Sequence, residues 1–403
     1  MTTSPLKMRQ TERDRVHITA IDVYQLKGHS IQSIIRVRTD AGIDGIGEAG
    51  LPAVNAKAYI EWNKDNLIGQ DALDIEKCYF NMTRSRSQWH AHWVQNPVIS
   101  GIETALWDIA GKVFNTSVSR LLTGRFREEI PMYVNSGGPK DWFDPSACRD
   151  WAQEFKADPL GFRTVKLGFD YMTGFDGKKF HGHRHKGGQP SLMLTPMELN
   201  RIRQGYENAR EALGWEHDII IHCHNEWDLP SALGISEAVA SIKPLWVEDA
   251  LPVLYSDTWK VYKQASKVRV MTGEKLEHPA EFLQFMQNGA VDAMHPDLAF
   301  IGGITGGRKI ADLGELFYIP MATHMAGSYI QLIATGHYGA MIRNFVMTES
   351  RIPGRGQDLH EEMAEEGITV KNGNLQLPSG PGLGITLRAD YMNQIIDDDK
   401  WTD

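Results

Sequence analysis

From about Pro131 onwards, eight short apolar runs alternate with helical stretches, and this alternation constrains the fold more than any other feature of the chain. The runs are Pro131–Asn135, Arg163–Gly168, Asp218–His222, Pro244–Glu248, Val268–Gly273, Ala290–His295, Phe317–Thr323 and Asn344–Thr348. Eight strand–helix units within roughly 220 residues match the number and size of a closed α/β barrel of the (β/α)₈ type. An open, doubly wound sheet would show the same alternation, so the closed barrel needs further support.

One connecting helix has clear start signals. Thr195, Pro196 and Glu198 supply an N-cap threonine, a proline at the first helical position and a glutamate two residues later. This combination predicts a capping box at the start of the helix that precedes the third strand.

The first part of the chain has a different pattern. Val16–Tyr24, Ile31–Arg38 and Ile43–Glu48 predict short antiparallel strands, and helical patterning follows from about Val54 to Leu122. This order indicates an α+β unit outside the barrel. We therefore expect an α+β capping domain over residues 1–128 and the barrel over 129–370. The turn-rich segment Lys371–Gly384 opens a C-terminal region, 371–403, that should leave the barrel and return to the capping domain.

The segment 170–193 interrupts the strand–helix alternation after the second predicted strand. Its length and its content of Gly, Lys and His predict a lid over the barrel, which with the loop 27–31 would decide which substrate is accepted. Histidines alternate within it, a pattern more typical of solvated side chains than of a metal site; they are His181, His183 and His185. A second group could line a pocket or pack at an interface; it comprises Trp89, His90, His92 and Trp93.

Composition narrows the class of partner. The formal net charge of −9 argues against nucleic acid and against an anionic membrane surface, because both favour a basic face. Three cysteines give no disulfide framework, and no apolar run has the length of a membrane span or a signal peptide core. We expect a cytoplasmic protein that acts on a small molecule.

Polar residues recur where six of the predicted strands end. They are His222, Glu248, Glu274, Asp297, His324 and Glu349, spaced 23 to 27 residues apart. One strand–helix unit occupies about this interval, so each residue should lie at the same level of its strand. That level is the C-terminal mouth of a barrel, where active sites are built. One carboxylate after a strand is usually a helix cap, but six polar residues in register predict a site.

These side chains have complementary chemistry. Glu248 and Glu274 would repel each other unless a cation lay between them, and with His222 they are candidate ligands of a divalent ion. Asp297 and His324 lie on neighbouring strands, where a carboxylate can orient an imidazole as a general base.

Two further residues are candidates for contact with a substrate. Lys166 lies near the end of the second predicted strand and could bind a carboxylate or a developing oxyanion, although it could also be an ordinary surface lysine. His224 follows His222 by two residues, so on an extended chain both side chains point the same way and Cys223 points to the opposite side.

These residues and motifs resemble the enolase superfamily, in particular its mandelate-racemase-like and mannonate-dehydratase-like sugar-acid dehydratases. The resemblance covers most of the chain and is carried by VRTDAGIDGIGEAG, GIETALWDIAGKVFNTSVSRLLTGRFREEIPMY, GFRTVKLG, WVEDALP, TGEKL, HPDLAFIGGITG, PMATHMAG and PGLGI. It implies a capped barrel in a homo-oligomer and an enolisation assisted by Mg²⁺. In that reaction the metal binds the substrate carboxylate while a base removes the adjacent proton and an enediolate forms.

The resemblance also implies roles for individual residues. In mandelate-racemase-like members, the positions matching Asp297 and His324 form the base pair, and the position matching Glu349 hydrogen-bonds the substrate carboxylate. In mannonate-dehydratase-like members, a histidine matching His224 is a second acid or base. The position matching Lys166 is basic in both groups.

Two positions depart from the family pattern. The first metal ligand is normally aspartate, whereas this chain has His222, so Mg²⁺ affinity should fall, Mn²⁺ or another transition metal should compete better, and acid should weaken binding. Racemase-like members carry Lys-x-Lys, whereas this chain reads Lys166-Leu167-Gly168. The missing second lysine counts against racemisation and favours dehydration by His324 and His224.

The sequence therefore predicts a hydro-lyase that converts an aldonate or aldarate into its 2-keto-3-deoxy acid. Two alternatives stay open. One is an epimerase, racemase or cycloisomerase of the same superfamily, and the other is a non-catalytic sugar-acid-binding relative whose metal site has decayed.

Overall fold

The computed structural model describes residues 15–27, 32–84, 95–169, 172, 193–351, 359–397 and 400–402. Most of the predicted lid and of the loop 27–31 lies outside these residues. So do the two histidine-containing groups noted in the sequence, namely His181, His183 and His185, and Trp89, His90, His92 and Trp93.

The N-terminal part is an antiparallel sheet covered by helices, as the sequence predicts. Its strands run in the order β1 (Ile18–Gln25), β2 (Ser33–Thr39) and β3 (Gly45–Ala49). The helices are α1 (Ala53–Asn63), α2 (Ile75–Arg84), α3 (Asn96–Val113) and α4 (Val118–Leu122), and the 3₁₀ turn Lys64–Asn66 follows α1. The helix α3 lies so close to β3 that a Cβ atom at Gly47 would be 2.1 Å from the carbonyl oxygen of Gly101. Glycine at this point lets helix and sheet share one core.

The rest of the chain is built on a closed ring of parallel strands. The strands are β4 (Glu129–Ser136), β5 (Thr164–Gly168), β6 (Asp218–His222), β7 (Val247–Glu248), β8 (Val270–Thr272), β9 (Ala293–Met294), β10 (Met321–Thr323) and β11 (Phe345–Ser350). Each strand pairs in parallel with the next, and β11 closes the ring by pairing with β4. Every predicted strand position is confirmed, and the closure excludes the open sheet.

Helices connect consecutive strands of the ring. They are α5 (Pro145–Lys156), α6 (Pro196–Leu213), α7 (Leu229–Val239) with the 3₁₀ turn Ala240–Ile242, α8 (Asp257–Ala265), α9 (Pro279–Gln287), α10 (Gly303–Leu316) and α11 (Tyr329–Met341). The predicted capping box is present at the start of α6, where Glu198 N donates to Thr195 Oγ1 and Thr195 N donates to Glu198 Oε2. Within the described residues, no helix combines the length and apolarity needed to cross a membrane.

The C-terminal region contacts both parts of the molecule. It comprises the 3₁₀ turn Glu361–Met363, the strands β12 (Val370–Lys371) and β13 (Asn374–Gln376), and the helix α12 (Ala389–Ile395). Strand β13 pairs antiparallel with the barrel strand β4 before the chain returns to the N-terminal domain. Leu383 N then donates to Asp108 of α3 over 2.8 Å, Ile396 bridges Leu26, and Trp401 packs on Tyr24 with ring centroids 4.9 Å apart. The proposed region boundaries, 128/129 and 370/371, stay predictions.

The barrel interior below the strand ends is filled by side chains. These are Tyr133, Ile220, Trp246, Met271, Ala293 and Ala322, all of them buried. Their packing fills the barrel beneath its C-terminal mouth, the side on which sites of this fold are built.

Two buried glutamates of the N-terminal domain hold the barrel helices that face it. Glu103 accepts hydrogen bonds from Ile304 N (2.8 Å), Thr305 N (3.0 Å) and Thr305 Oγ1 at the start of α10. Glu48 accepts from Ser328 N (3.1 Å) and Ser328 Oγ at the start of α11. The N-terminus of a helix carries partial positive charge and unpaired N–H groups, which a carboxylate satisfies. Burial nevertheless raises the pKa of each glutamate to about 7. The N-terminal domain is therefore docked on the face of the barrel where the strands end.

Candidate active site

The six polar strand-end residues of the sequence lie together at the mouth of the barrel. His222 and Glu248 are the last residues of β6 and β7 and are paired in register, and Asp297 and His324 form a further parallel bridge beyond β9 and β10. The regular spacing in the sequence therefore corresponds to one level of the barrel.

Three of these residues are arranged as a metal site would require. His222, Glu248 and Glu274 each offer one ligand atom, and these atoms lie within 4.8 Å of one another. All three side chains are buried. Among the buried side-chain atoms without a hydrogen-bond partner in the described structure are Nε2 of His222, Oε2 of Glu248 and Oε2 of Glu274. Unpaired buried polar atoms of this kind are costly unless a ligand satisfies them, so the residues present fit a divalent cation.

The histidine of this group is suited to ligation. Burial and the nearby ammonium of Lys166 lower the pKa of His222, which keeps the imidazole neutral at pH 7. Its Nδ1 atom lies 2.5 Å from Oε1 of Glu248. One imidazole with two carboxylates is a donor set that suits Mn²⁺ and similar transition metals as well as Mg²⁺.

Lys166 is a buried residue of the site and not a surface lysine. Its Nζ atom lies 2.9 Å from Oε1 of Glu248 and 2.8 Å from Oε2 of Glu349, and the residue is 1% exposed. Burial disfavours the ammonium, but the two carboxylates outweigh it and raise the pKa of Lys166. The lysine thus brings a permanent positive charge to the base of the site.

Asp297 and His324 form a hydrogen-bonded pair. His324 Nδ1 lies 2.5 Å from Asp297 Oδ2, and the other ring nitrogen, Nε2, lies 3.6 Å from Oε2 of Glu274 and 3.9 Å from Oε2 of Glu349. The His324 side chain keeps 15% of its surface exposed, so Nε2 can be reached from the mouth. Burial opposes charge on this imidazole, but Glu274 and Asp297 outweigh burial and raise the pKa of His324 to about 9. The pair has the geometry of a carboxylate-oriented base.

The structure corrects the backbone predicted for His224. Strand β6 ends at His222, and His224 adopts the left-handed conformation with φ of 58° instead of continuing the strand. The prediction of an extended chain through both histidines is therefore wrong. The turn nevertheless returns the ring of His224 to that of His222, with centroids 3.6 Å apart and planes at 79°. Cys223 is buried and packs in the hydrophobic core, as expected.

Two buried residues of the site were not recognised in the sequence. Tyr133 and His295 lie below the metal-ligand group, where the Tyr133 hydroxyl is 2.8 Å from His295 Nε2 and 3.3 Å from Glu349 Oε2. Burial lowers the pKa of His295 to about 4, so this imidazole is neutral. The sequence holds a signal for His295, because it precedes Asp297 by two residues. Residues two apart on an extended chain point the same way.

Lys275 is a third residue that the sequence did not single out. It directly follows Glu274, and its Nζ atom lies 2.5 Å from Glu274 Oε1 and 2.8 Å from Asn225 Oδ1. Its side chain is 40% exposed, so it places a second ammonium group at the rim of the site.

Comparison with known proteins shows what the chain is similar to over most of its length. Residues 149–391 match the model of the enolase C-terminal domain-like family, and residues 11–123 match that of the mandelate racemase/muconate lactonizing enzyme N-terminal domain. The chain is 30% identical over 374 residues to D-xylonate dehydratase of Haloferax volcanii, an alignment that covers 93% of this chain and 87% of that protein. It is 25% identical over 365 residues to D-gluconate dehydratase of Thermoproteus tenax, covering 89% and 68%.

A solved structure has the same fold. The mandelate racemase/muconate lactonizing enzyme-like protein of Rubrobacter xylanophilus superposes with a TM-score of 0.84 at 26% identity, covering 96% of this chain and 98% of that one. The similarity extends over both the N-terminal sheet and the barrel.

Proposed function

The chain belongs to the mandelate racemase/muconate lactonizing enzyme family of the enolase superfamily and is a carbon–oxygen lyase, and on that premise we propose that it dehydrates an aldonate or aldarate to the 2-keto-3-deoxy acid. One observation carries the proposal. The base pair and a second histidine adjoin different members of one group of candidate metal ligands, because His324 Nε2 lies 3.6 Å from Glu274 Oε2 and the ring of His224 contacts that of His222. Dehydration needs two proton transfers at adjacent carbons, and this arrangement offers a residue for each.

His222, Glu248 and Glu274 would hold the metal ion, which we propose to be Mg²⁺ or Mn²⁺. When bound, the ion would supply positive charge that offsets the two glutamates and stabilises the substrate carboxylate as its neighbouring proton leaves. Lys166 would stabilise the oxyanion that develops on that carboxylate. Glu349, whose Oε2 lies 2.8 Å from Lys166 Nζ, would donate a hydrogen bond to it from the protonated form of its carboxyl group.

The proton transfers follow from the positions of the histidines. With the charge of Glu274 offset by a bound cation, the pKa of His324 would fall from its raised value and the imidazole would be neutral. Asp297 would then hold Nδ1–H, and the free Nε2 would accept the C2 proton. The electron pair of the C2–H bond enters the enediolate and then forms the C2–C3 double bond as the C3–O bond breaks. His224 would give its proton to the departing hydroxyl, which leaves as water. The resulting enol becomes the 2-keto acid when C3 takes up a proton.

The sequence of the second barrel strand, β5, argues against epimerisation by two bases on opposite faces of the substrate. In racemase-like relatives a second lysine would stand two residues after Lys166, but this position is Gly168, which has no side chain. Strand β5 therefore offers one ammonium group to the site and no second base.

A panel of aldonates and aldarates tests the proposal. Each acid is incubated with the protein and Mg²⁺ or Mn²⁺ in D₂O and followed by proton NMR and by a 2-keto-acid assay. We expect loss of the C2 proton together with formation of the 2-keto-3-deoxy acid. Exchange at C2 without loss of water would instead support an epimerase, and binding without exchange would support a non-catalytic relative.

Location and assembly remain open to test. We propose a cytoplasmic homo-oligomer, on the basis of the sparse cysteines and the family resemblance. Light scattering of the purified protein would measure the number of subunits, and fractionation of the source cells would test the location.

A further inference from the structure

Gln331 connects the start of α11 to the candidate base pair. It is the third residue of α11, is 3% exposed, and donates a hydrogen bond from Nε2 to Oδ1 of Asp297 over 2.5 Å. Asp297 follows strand β9, whereas α11 follows strand β10, whose end carries His324. The contact therefore joins the two strand ends that supply the pair.

The two carboxylate oxygens of Asp297 have different hydrogen-bond partners. Oδ1 accepts from Gln331 Nε2 and from Ala299 N (2.7 Å), while Oδ2 faces His324 Nδ1. The bond from Ala299 is local, since that N–H lies two residues along the same loop and moves with the aspartate. The bond from Gln331 comes from another element and fixes the carboxylate relative to the strand that carries His324.

The position of Gln331 depends in turn on the N-terminal domain. Glu48 of β3 holds Ser328, the N-cap residue of α11, through the backbone N–H (3.1 Å) and the hydroxyl. Gly327 leaves space for this arrangement, because a Cβ atom there would lie 1.7 Å from Gln331 Oε1 and 2.4 Å from Glu48 Oε1. Any larger residue at 327 would push the amide away from Asp297.

We propose that Gln331 is a positioning residue for the Asp297–His324 pair, held in place by the contact of Glu48 with the start of α11. By fixing the aspartate it keeps the His324 proton on Nδ1 and leaves Nε2 free toward the substrate. This inference rests on the proposed function, in which His324 is the base. Loss of one hydrogen bond to a charged group corresponds to roughly 10- to 100-fold in rate if it acts only on the proton transfer.

The test compares Gln331→Met in two backgrounds. In the otherwise unchanged protein we expect kcat for C2 proton exchange to fall about 10- to 100-fold while KM changes less than about twofold, because no substrate contact is removed. In the Asp297→Asn background, Gln331→Met should cause no further loss, since the residue acts through that aspartate. Thr335→Val is the matched control: Thr335 is buried one turn further along α11, and its loss of a hydroxyl should leave kcat unchanged.

A measurement without substrate gives a second readout. The short bond between His324 and Asp297 should produce a far-downfield Nδ1–H proton resonance, assigned by its loss in His324→Asn. Gln331→Met should shift or broaden it, while Thr335→Val should not. Where Gln331→Met does not fold, Gln331→Asn, whose amide is too short to reach Asp297, should give the same result.

The outcomes separate this inference from the proposed function. The inference would be overturned if the kcat losses of Gln331→Met and Asp297→Asn multiplied in the double variant. It would also be overturned if the Nδ1–H resonance were unshifted in Gln331→Met, since either result would show that Gln331 is only structural. Full C2 exchange in Asp297→Asn would instead refute the base assigned in the proposed function. Stability and metal affinity of each variant are measured alongside, so that a folding defect is not read as a kinetic one.

Discussion

The imidazole Nδ1 of His222 lies 2.5 Å from Oε1 of Glu248, at the paired ends of two neighbouring strands. Family resemblance leads one to expect a carboxylate at position 222. An imidazole there reduces the negative charge of the ligand group by one and leaves two glutamates, one of which is also bound to Lys166. The choice of metal is the property most directly affected.

Changing His222→Asp should therefore raise the affinity for Mg²⁺, on the order of tenfold, because it adds a charged oxygen ligand of the kind that Mg²⁺ prefers. Affinity for Mn²⁺ should change less, since that ion also accepts imidazole. Isothermal titration calorimetry with each metal measures both values. His217→Asp, one residue before the start of the same strand, serves as the control. Equal Mg²⁺ affinity in the wild type and in His222→Asp would argue that position 222 is not a ligand.

Replacement of the candidate base, His324→Asn, should reduce C2 proton exchange about 10²–10⁴-fold, the range associated with general-base catalysis. Metal affinity should stay near the wild-type value, because His324 is not one of the three candidate ligands. Proton NMR in D₂O measures the exchange and calorimetry the metal. If C2 proton exchange continued at the wild-type rate, a residue other than His324 would be the base.

The second histidine should act at the other carbon. In His224→Asn we expect formation of the 2-keto acid to fall at least about 100-fold while C2 exchange continues, since the acid for the leaving hydroxyl is lost and the base is kept. Following exchange and product in one sample separates the two steps. If both fall together, or neither falls, His224 is not the acid proposed here. Because its ring contacts His222, metal affinity is checked in the same variant.

Buried Glu103 should make stability depend on pH. Burial raises its folded pKa to about 7 from the ordinary value of 4.5. Below pH 4.5 both states hold the proton, and between the two values only the folded state holds it. The free energy of unfolding therefore falls as pH rises through this window and is level above it.

Glu103→Gln removes this titration. From pH 5 to pH 8 the wild type should lose about 2–3 kcal/mol more stability than the variant. Urea unfolding at the two pH values measures the difference. The pKa of Glu48 is also raised, but Glu48 is present in both proteins, so its contribution cancels in the comparison. If the free energy of unfolding changed equally in the two proteins, Glu103 would be ionised in the folded state at both pH 5 and pH 8.

Much of this architecture follows from regularities that a single chain displays. Strand positions and the level of the six polar residues could be predicted because parallel strands of a barrel repeat at a nearly constant interval and end on one face. The start of α6 was predictable because a capping box uses only residues near each other in sequence.

What escaped prediction depends on contacts between distant segments or on unusual backbone. The turn at His224 needs a positive φ at a residue that is not glycine, and nothing local to the sequence specifies it. Tyr133 looks like an ordinary strand residue until the closed ring places it beneath the site. Glu48 and Gln331 are 283 positions apart along the chain and meet only once the N-terminal sheet has docked on the barrel.

The C-terminal region has a consequence for how the molecule assembles during synthesis. Lys27 Nζ donates to the carbonyl of Gln394, which lies 367 positions later in the chain, and Trp401 covers Tyr24. The N-terminal sheet is synthesised first, but these contacts with its outer strand β1 form only after α12 has been synthesised. During that interval the Gln25 end of β1 is an open edge that can pair with another nascent chain, whereas its Ile18 end is already hydrogen-bonded to residues 69–70. Such long-range closure slows folding and exposes the intermediate to aggregation, so truncation before α12 should leave a chain that is made but poorly recovered in soluble form.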